Sequence, residues 1–396
     1  MTTNVTTTRR YDLDWLRVFG IAAVFIFHSC RFFDLDGWHV KNPTTYLGVE
    51  IWIGFLASWL MPLMFIISGA SLYYALGTRG NGAFIKDKVL RLFIPLMVGA
   101  FTHVALQVYL ERVSHQQFAG TFIDFLPHYF DGLYGFGGNF AWMGLHLWYL
   151  LVLFVFSLGL LPLFHWLKIG GGERILDRMG NFLARPKMIY LLVLPLALLR
   201  SALNPDSFFG RGDFGGWSLL IYVLFFVYGF VIISHAGVQQ RIQQLRQTSL
   251  SAGGIMGAVM IALYVAWSET SYRTLSYIIM NSAYALLSWC WLLTILGYGF
   301  KRFTQSTPFL QYASEGVLPF YILHQTVLIV VGYFVVQWTI PDLLKWLIIA
   351  PTSFILIMVL YEFAVRRVNV LRFLFGMKPK QCGARGIRSA LAKQGV

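Results

Sequence analysis

Apolar stretches long enough to cross a membrane recur along the whole chain, and they decide the fold class before any motif is considered. A helix needs about 20 predominantly apolar residues to cross the hydrocarbon core. Inside lipid every backbone N–H and C=O needs a partner within the protein, so repeated long stretches read as helices. The expected fold is all-α, a polytopic membrane protein of about ten transmembrane helices. The spans expected are 15–33, 48–76, 89–110, 144–165, 188–204, 217–235, 253–268, 275–299, 317–338 and 343–365. Composition agrees, because a soluble domain that was 57% hydrophobic and 12% charged would leave far too much apolar surface in water.

The net charge of +14 has to be tested against topology before it is read as a nucleic-acid footprint. With the N-terminus inside, only Arg31, Lys41, Arg112, Arg200, Arg211, Arg273 and Lys345 of the 31 lysines and arginines fall outside. Positive charge collects on the cytoplasmic side of membrane proteins, so both termini are expected there. The chain then divides into a cytoplasmic segment 1–14, a membrane domain 15–365 and a basic cytoplasmic tail 366–396, with no nucleic-acid partner. The tail has eight basic residues and no acid, which suits a solvated segment near anionic lipid. The first apolar run lacks a clear small-residue cleavage site and is expected to stay as a signal anchor in the inner (plasma) membrane. Cys30, Cys290 and Cys382 are far apart and form no metal spacing, so neither a disulfide framework nor a metal is expected.

Within the first span Arg17 and His28 are eleven residues apart. Eleven steps of about 100° return His28 to within roughly 20° of Arg17, about 16 Å further along the axis. Ionisable side chains are costly in lipid, so each is a candidate functional group. Arg17 alone would suit snorkelling to the headgroups. His28, expected nearer the membrane centre, titrates near neutrality and suits a general base.

Other polar positions punctuate the later spans. Lys88 and Arg91 open the third span on one helix face, as membrane anchors or as a phosphate clamp with Arg17. Ser68-Gly69 allows close approach of a neighbouring helix or a substrate. His146 and Trp148 are expected at the outer interface, Trp148 as an anchor. His324 and Gln325 are expected on the inner half of the ninth span, bonded to another helix or to a ligand. His39 follows the first span and could form a polar rim over His28. The long connection 111–143 is rich in aromatics, which suit an interfacial belt first and a sugar-stacking platform second.

These residues together resemble the membrane acyltransferase-3 family. The family's arginine and histidine with ten residues between them in the first span are matched by Arg17 and His28. The FxxSG element is Phe65, Ser68 and Gly69; the RxxR element is met by Lys88 and Arg91; the LW element is Leu147 and Trp148. DWLR at 14–17, WHVKN at 38–42, MFIISG at 64–69 and HLWYL at 146–150 are most similar to the branch that succinylates periplasmic glucans. Many acetylating relatives carry a glutamate a few residues after LW, where this chain has Leu153.

The resemblance implies an integral membrane O-acyltransferase. It would move a succinyl or acetyl group from cytoplasmic acyl-CoA, as donor substrate, to a carbohydrate hydroxyl on the outer side. On that expectation His28 is catalytic. Arg17, Lys88, Arg91 and Ser68 hold the coenzyme A portion, and His39, His146, Trp148 and His324 meet the acceptor. Arg31 or Lys41 could meet the extra carboxylate of a succinyl donor. A transporter or flippase for an acyl or glycan substrate, or a noncatalytic scaffold, is the competing class.

Overall fold

The computed structural model describes residues 9–77, 80–267 and 270–380; residues 1–8 of the N-terminal segment and 381–396 of the basic tail, with Cys382, lie outside the described residues. The described chain is all-helical apart from an isolated bridge between Leu133 and Phe140. Six helices are long and apolar enough to cross a membrane: α1 (Tyr11–Cys30), α2 (Leu47–Ala75), α11 (Ala236–Ala266), α12 (Leu275–Arg302), α13 (Pro308–Val335) and α14 (Asp342–Val365). Three more candidate spans are bent pairs: α3 (Asn81–Phe101) with α4 (Val104–Ser114), α6 (Leu145–Gly159) with α7 (Leu161–Ile169), and α8 (Glu173–Leu183) with α9 (Met188–Ala202). A shorter apolar helix, α10 (Leu219–Ser234), packs along α2. A surface helix, α5 (Phe122–His128), and the short α15 (Asn369–Leu374) complete the elements.

Each expected span has a helical counterpart, but several boundaries move for physical reasons. The first helix covers 11–30 rather than 15–33, so His28 lies in its last turn. The third span breaks at Thr102, which has a non-helical backbone, and α3 and α4 meet at 42°. Pro95 cannot donate to the Arg91 carbonyl four residues back, and the helix widens into a π-helical turn over Val89–Phe93 just before it. Pro162 starts α7 after a 50° bend. The helix α8 turns 115° away from α9 and buries one face with Leu176, Gly180 and Leu183. Hydropathy misses seventeen residues at the start of α11, because Gln239–Ser249 is polar yet helical.

The centre is built by α1, α2, α10, α12 and α13. Large side chains fill it, including Phe65, Trp217, Tyr222, Phe230 and Trp289. The closest approach is between α2 and α10. A Cβ on Gly69 would stand 1.9 Å from the Phe226 carbonyl oxygen, and one on Gly229 2.0 Å from that of Ile66. Gly69 is therefore a packing residue that brings two backbones together. The basic C-terminal segment begins against the bundle rather than in solvent. Arg372 is buried, pairs with Glu315 at 2.9 Å and donates to the Lys378 carbonyl at 2.7 Å.

The aromatics of the 111–143 connection pack mainly on one another. Phe118, Phe125 and Tyr129 join Tyr109 and Phe140 in an aromatic cluster continuous with the main core. Thr121 and Asp124 close a reciprocal capping box at the start of α5.

Candidate active site

Helix α1 stops at Cys30, whereas α13 continues eleven residues past His324 to Val335. Past the paired histidines α1 runs two residues further and α13 eleven, a difference of about 13 Å of helix that sinks the His28 end of α1 below the end of α13. The segment 31–46 folds back over it. Trp38 stacks near the His28 ring with centroids 6.4 Å apart and meets Phe32 edge-on at 4.7 Å. Only partly accessible, His28 is enclosed by the roof of its own connecting loop rather than by mid-helix depth.

Under that roof α1, α4, the start of α6 and α13 bring four histidines into one cluster. His28 and His324 have ring centroids 4.9 Å apart, His324 and His146 5.1 Å, and His146 and His103 6.3 Å. The hydrogen bonds fix the tautomers. The Tyr321 carbonyl can only accept, so the proton of His324 sits on Nδ1, and its Nε2 accepts from His28 Nδ1 at 3.1 Å. The Val24 carbonyl, 3.0 Å from the same His28 nitrogen, also requires a proton there. His28 Nε2 is left with its lone pair, and no hydrogen bond reaches it among the described residues.

A second strand of polar contacts runs beside the histidines. His146 Nε2 donates to the Ile322 carbonyl at 3.0 Å, and its Nδ1 faces the Gln107 amide at 3.4 Å. Gln325 donates to Gln107 Oε1 at 3.1 Å and faces His39 Nε2 at 3.2 Å. His39 then donates through Nδ1 to Glu111. Glu111, buried, also accepts from the Tyr134 hydroxyl at 2.9 Å and from Arg112 at 3.1 Å. Burial and the adjacent Glu111 charge push the Tyr134 hydroxyl well up, so it remains a donor. His103 binds Thr326 at 2.7 Å through Nδ1.

The Arg17 end is about three helical turns away along α1. Arg17 donates to Ser71 at 2.8 Å and to Asp14 at 3.3 Å. It lines a cavity of about 350 Å³ with Arg9, Arg10, Ser71 and Tyr74. Lys88 lies within electrostatic reach of both Arg17 and Arg91. Arg91 itself pairs with Asp87 at 3.1 Å. Between the two ends, Ser68 and the Tyr149 hydroxyl are 2.7 Å apart, and Tyr149 reaches Tyr321 with ring centroids 6.0 Å apart. Polar groups therefore continue from Arg17 through Ser71, Ser68, Tyr149 and Tyr321 to His324 and His28.

The expected site residues divide accordingly. His28, His39, His146 and His324 meet in one network, whereas Arg17 lines the cavity towards the other end of α1, with Lys88 within electrostatic reach of it and Ser68 bonded to Tyr149. His146 is buried in the network instead of standing at an interface. Trp148 is inward too, packed against Phe65, Phe214 and Tyr222, because its ring fills the space beside α2 and α10. Arg31 and Lys41 are both committed to Asp34, and burial raises that carboxyl although both cations pull the other way. They are therefore not free cations for a succinyl carboxylate.

Asp34, Asp36 and Glu50 bring carboxylate oxygens within 4.8 Å of one another, but the pairing of Asp34 with two cations makes this a balanced loop anchor. Sequence reading missed His103, Gln107 and Glu111. Their signal was present: they recur every four residues on one face of an apolar helix.

A family described as an acyltransferase domain (Acyl_transf_3) matches residues 10–362. Similar proteins include the glucans biosynthesis proteins C of Salmonella agona (strain SL483) and Salmonella paratyphi A (strain ATCC 9150 / SARB42). Each is 23% identical over 397 residues, covering 95% of this chain and 97% of the relative. No solved structure matches. The matched region contains Arg10, Arg17 and the histidine cluster, and the chain belongs to the acyltransferase-3 family of multi-pass membrane acyltransferases.

Proposed function

We propose that this protein transfers a succinyl or acetyl group from cytoplasmic acyl-CoA to a carbohydrate hydroxyl presented from the opposite side of the membrane. The observation that carries the proposal is the free Nε2 lone pair of His28, standing at one end of a polar track whose other end is lined with arginines. The coenzyme A phosphates suit Arg17, Lys88 and the arginine-lined cavity, with Arg91 adjoining. A pantetheine arm would follow Ser71, Ser68 and Tyr149 towards the histidines. The distance from Arg17 to His28, about 16 Å along the helix, suits a long donor with charge at one end and a thioester at the other.

His28 Nε2 removes the proton from the acceptor hydroxyl as its oxygen attacks the thioester carbonyl carbon. The carbon–sulfur bond then breaks, and the imidazolium returns the proton to the departing thiolate. His324 holds the His28 Nδ1 proton and so keeps the basic nitrogen towards the acceptor. His39 and Gln325, at the rim of the same network, meet the carbohydrate. The distant likeness to proteins named for glucan biosynthesis supports a carbohydrate acceptor.

Membranes containing the full chain, given acyl-labelled succinyl-CoA or acetyl-CoA and a glucan pool, test this reading. Label in the glucan is expected, and the better donor identifies the acyl group. Uptake or flipping of glycan with no label transferred from either donor would reject acyl transfer in favour of transport.

A further inference from the structure

A second cavity, of about 310 Å³, lies away from the histidines, between the ends of α9, α11 and α12 and the 203–218 connection. Arg200 projects into it. The guanidinium carbon sits 4.1 Å from the centre of the Tyr284 ring and 4.6 Å from that of Trp217. The left-handed backbone of Gly215 and Gly216, with φ of 73° and 87°, turns the Gly216 carbonyl to accept from Arg200 Nη1 at 2.8 Å. That is its one protein hydrogen bond among the described residues. The Nε is fully buried without a partner, and no carboxylate pairs with Arg200 among the described residues. The Ser218 hydroxyl, on the same wall, is also buried and unpartnered.

A partly buried cation whose Nε is shut from solvent and has no counter-charge is costly, and aromatic faces offset only part of that cost. The fork geometry narrows what is missing. Nε and the second amino group of a guanidinium form a planar edge that matches two oxygens of one anion. A hydroxyl donor beside it suits the same oxygens. Met260 of α11 and Met280 of α12 give the cavity an apolar wall, and α11 is the least buried of the six long helices, which suits the chain of an amphiphile. We propose that this cavity binds a singly charged oxyanion group, a phosphodiester or carboxylate, on the free edge of Arg200. The site is separate from the acyl-transfer reading and stands whether or not that reading holds.

The full-length protein in neutral detergent tests it by thermal unfolding, because a ligand that binds only the folded state raises the melting temperature. The probes are phosphatidylglycerol, the uncharged diacylglycerol with the same chains, and soluble glycerophosphoglycerol, the same singly charged phosphodiester without its acyl chains. A rise with phosphatidylglycerol but not diacylglycerol, absent in Arg200→Gln, supports the site and assigns it to a lipid headgroup. A rise with glycerophosphoglycerol that Arg200→Gln abolishes supports it and assigns it to a soluble ligand.

Equal shifts in wild type and variant, or no shift with any probe, overturn the proposal. Should Arg200→Gln fail to fold, Arg200→Lys keeps the charge without the fork and is expected to show a smaller shift than wild type. Glu269 lies outside the described residues and is tested as Glu269→Gln. If that change lowers the ligand-free melting temperature as much as Arg200→Gln and no probe shifts the wild type, the counter-charge is internal and the proposal fails.

Discussion

His28 Nδ1 lies 3.1 Å from His324 Nε2, and this contact, together with the Val24 carbonyl 3.0 Å away, decides which nitrogen of His28 is free to take a proton. His324 is itself fixed by the Tyr321 carbonyl one turn back on α13. The orientation of the candidate base is thus shared between its own helix α1 and α13. Replacing His324 with leucine is expected to lower the turnover number by ~10- to 100-fold, the usual effect of removing a histidine's orienting partner, with little change in the KM for the donor. His324→Gln retains a carbonyl acceptor and should recover part of the loss. Steady-state kinetics on the three proteins check this; equal losses in both variants would assign His324 a role other than orientation.

Arg17 reaches Ser71 through one arm of its guanidinium and Asp14 through the other. Lysine keeps the charge but not that fork. Losing a charge-assisted hydrogen bond costs about 1.5 kcal/mol or more, so Arg17→Lys is expected to raise the acyl-CoA KM about tenfold, with the acceptor KM unchanged. Titrating each substrate against the other separates the two effects. A change confined to the acceptor would move the donor site elsewhere.

Gly69→Ala puts a methyl group against the Phe226 carbonyl, where backbone offers no flexible side chain to yield. Overpacking of this kind costs about 1–3 kcal/mol. Thermal unfolding in detergent should show a lower midpoint for Gly69→Ala than for Ser68→Ala. The serine variant loses one hydroxyl contact with Tyr149 and no packing. The opposite order would separate the glycine from the helix contact assigned to it.

Glu111 gathers His39, Tyr134 and Arg112 from two connections and its own helix. Removing one partner from a buried ionic contact costs about 3–5 kcal/mol. Glu111→Ala is therefore expected to melt markedly earlier and to expose the 31–46 roof to faster amide exchange. Unchanged exchange there would mean that the roof is held by Trp38 and the Arg31–Asp34–Lys41 group instead.

Much of this arrangement is legible in the sequence because lipid makes simple demands. Hydropathy finds a counterpart for every expected span, and the cost of ionisable groups in lipid singles out Arg17 and His28. Hydropathy cannot see helix that continues into polar residues, as at Gln239–Ser249, nor a backbone break such as Thr102 that leaves composition unchanged.

The pairing of His28 with His324 joins residues 296 positions apart, and no local pattern encodes it. The inward turn of Trp148 depends on space left by α2 and α10. Leu153 is buried and apolar, as expected, whereas the carboxylate nearest the histidine network is Glu111, from another helix. The four-residue spacing of His103, Gln107 and Glu111 was readable, and it marks the face of α4 that completes the site.

The central claim is that His28 is the base for acyl transfer. Purified wild-type and His28→Ala proteins, matched for helical content and melting temperature, should be given labelled acyl-CoA and glucan, and label in the glucan followed with time. Loss of transfer by about 10²–10⁴-fold, the range for removing a general base, is the predicted result. Transfer by the folded variant at a rate close to wild type would contradict it.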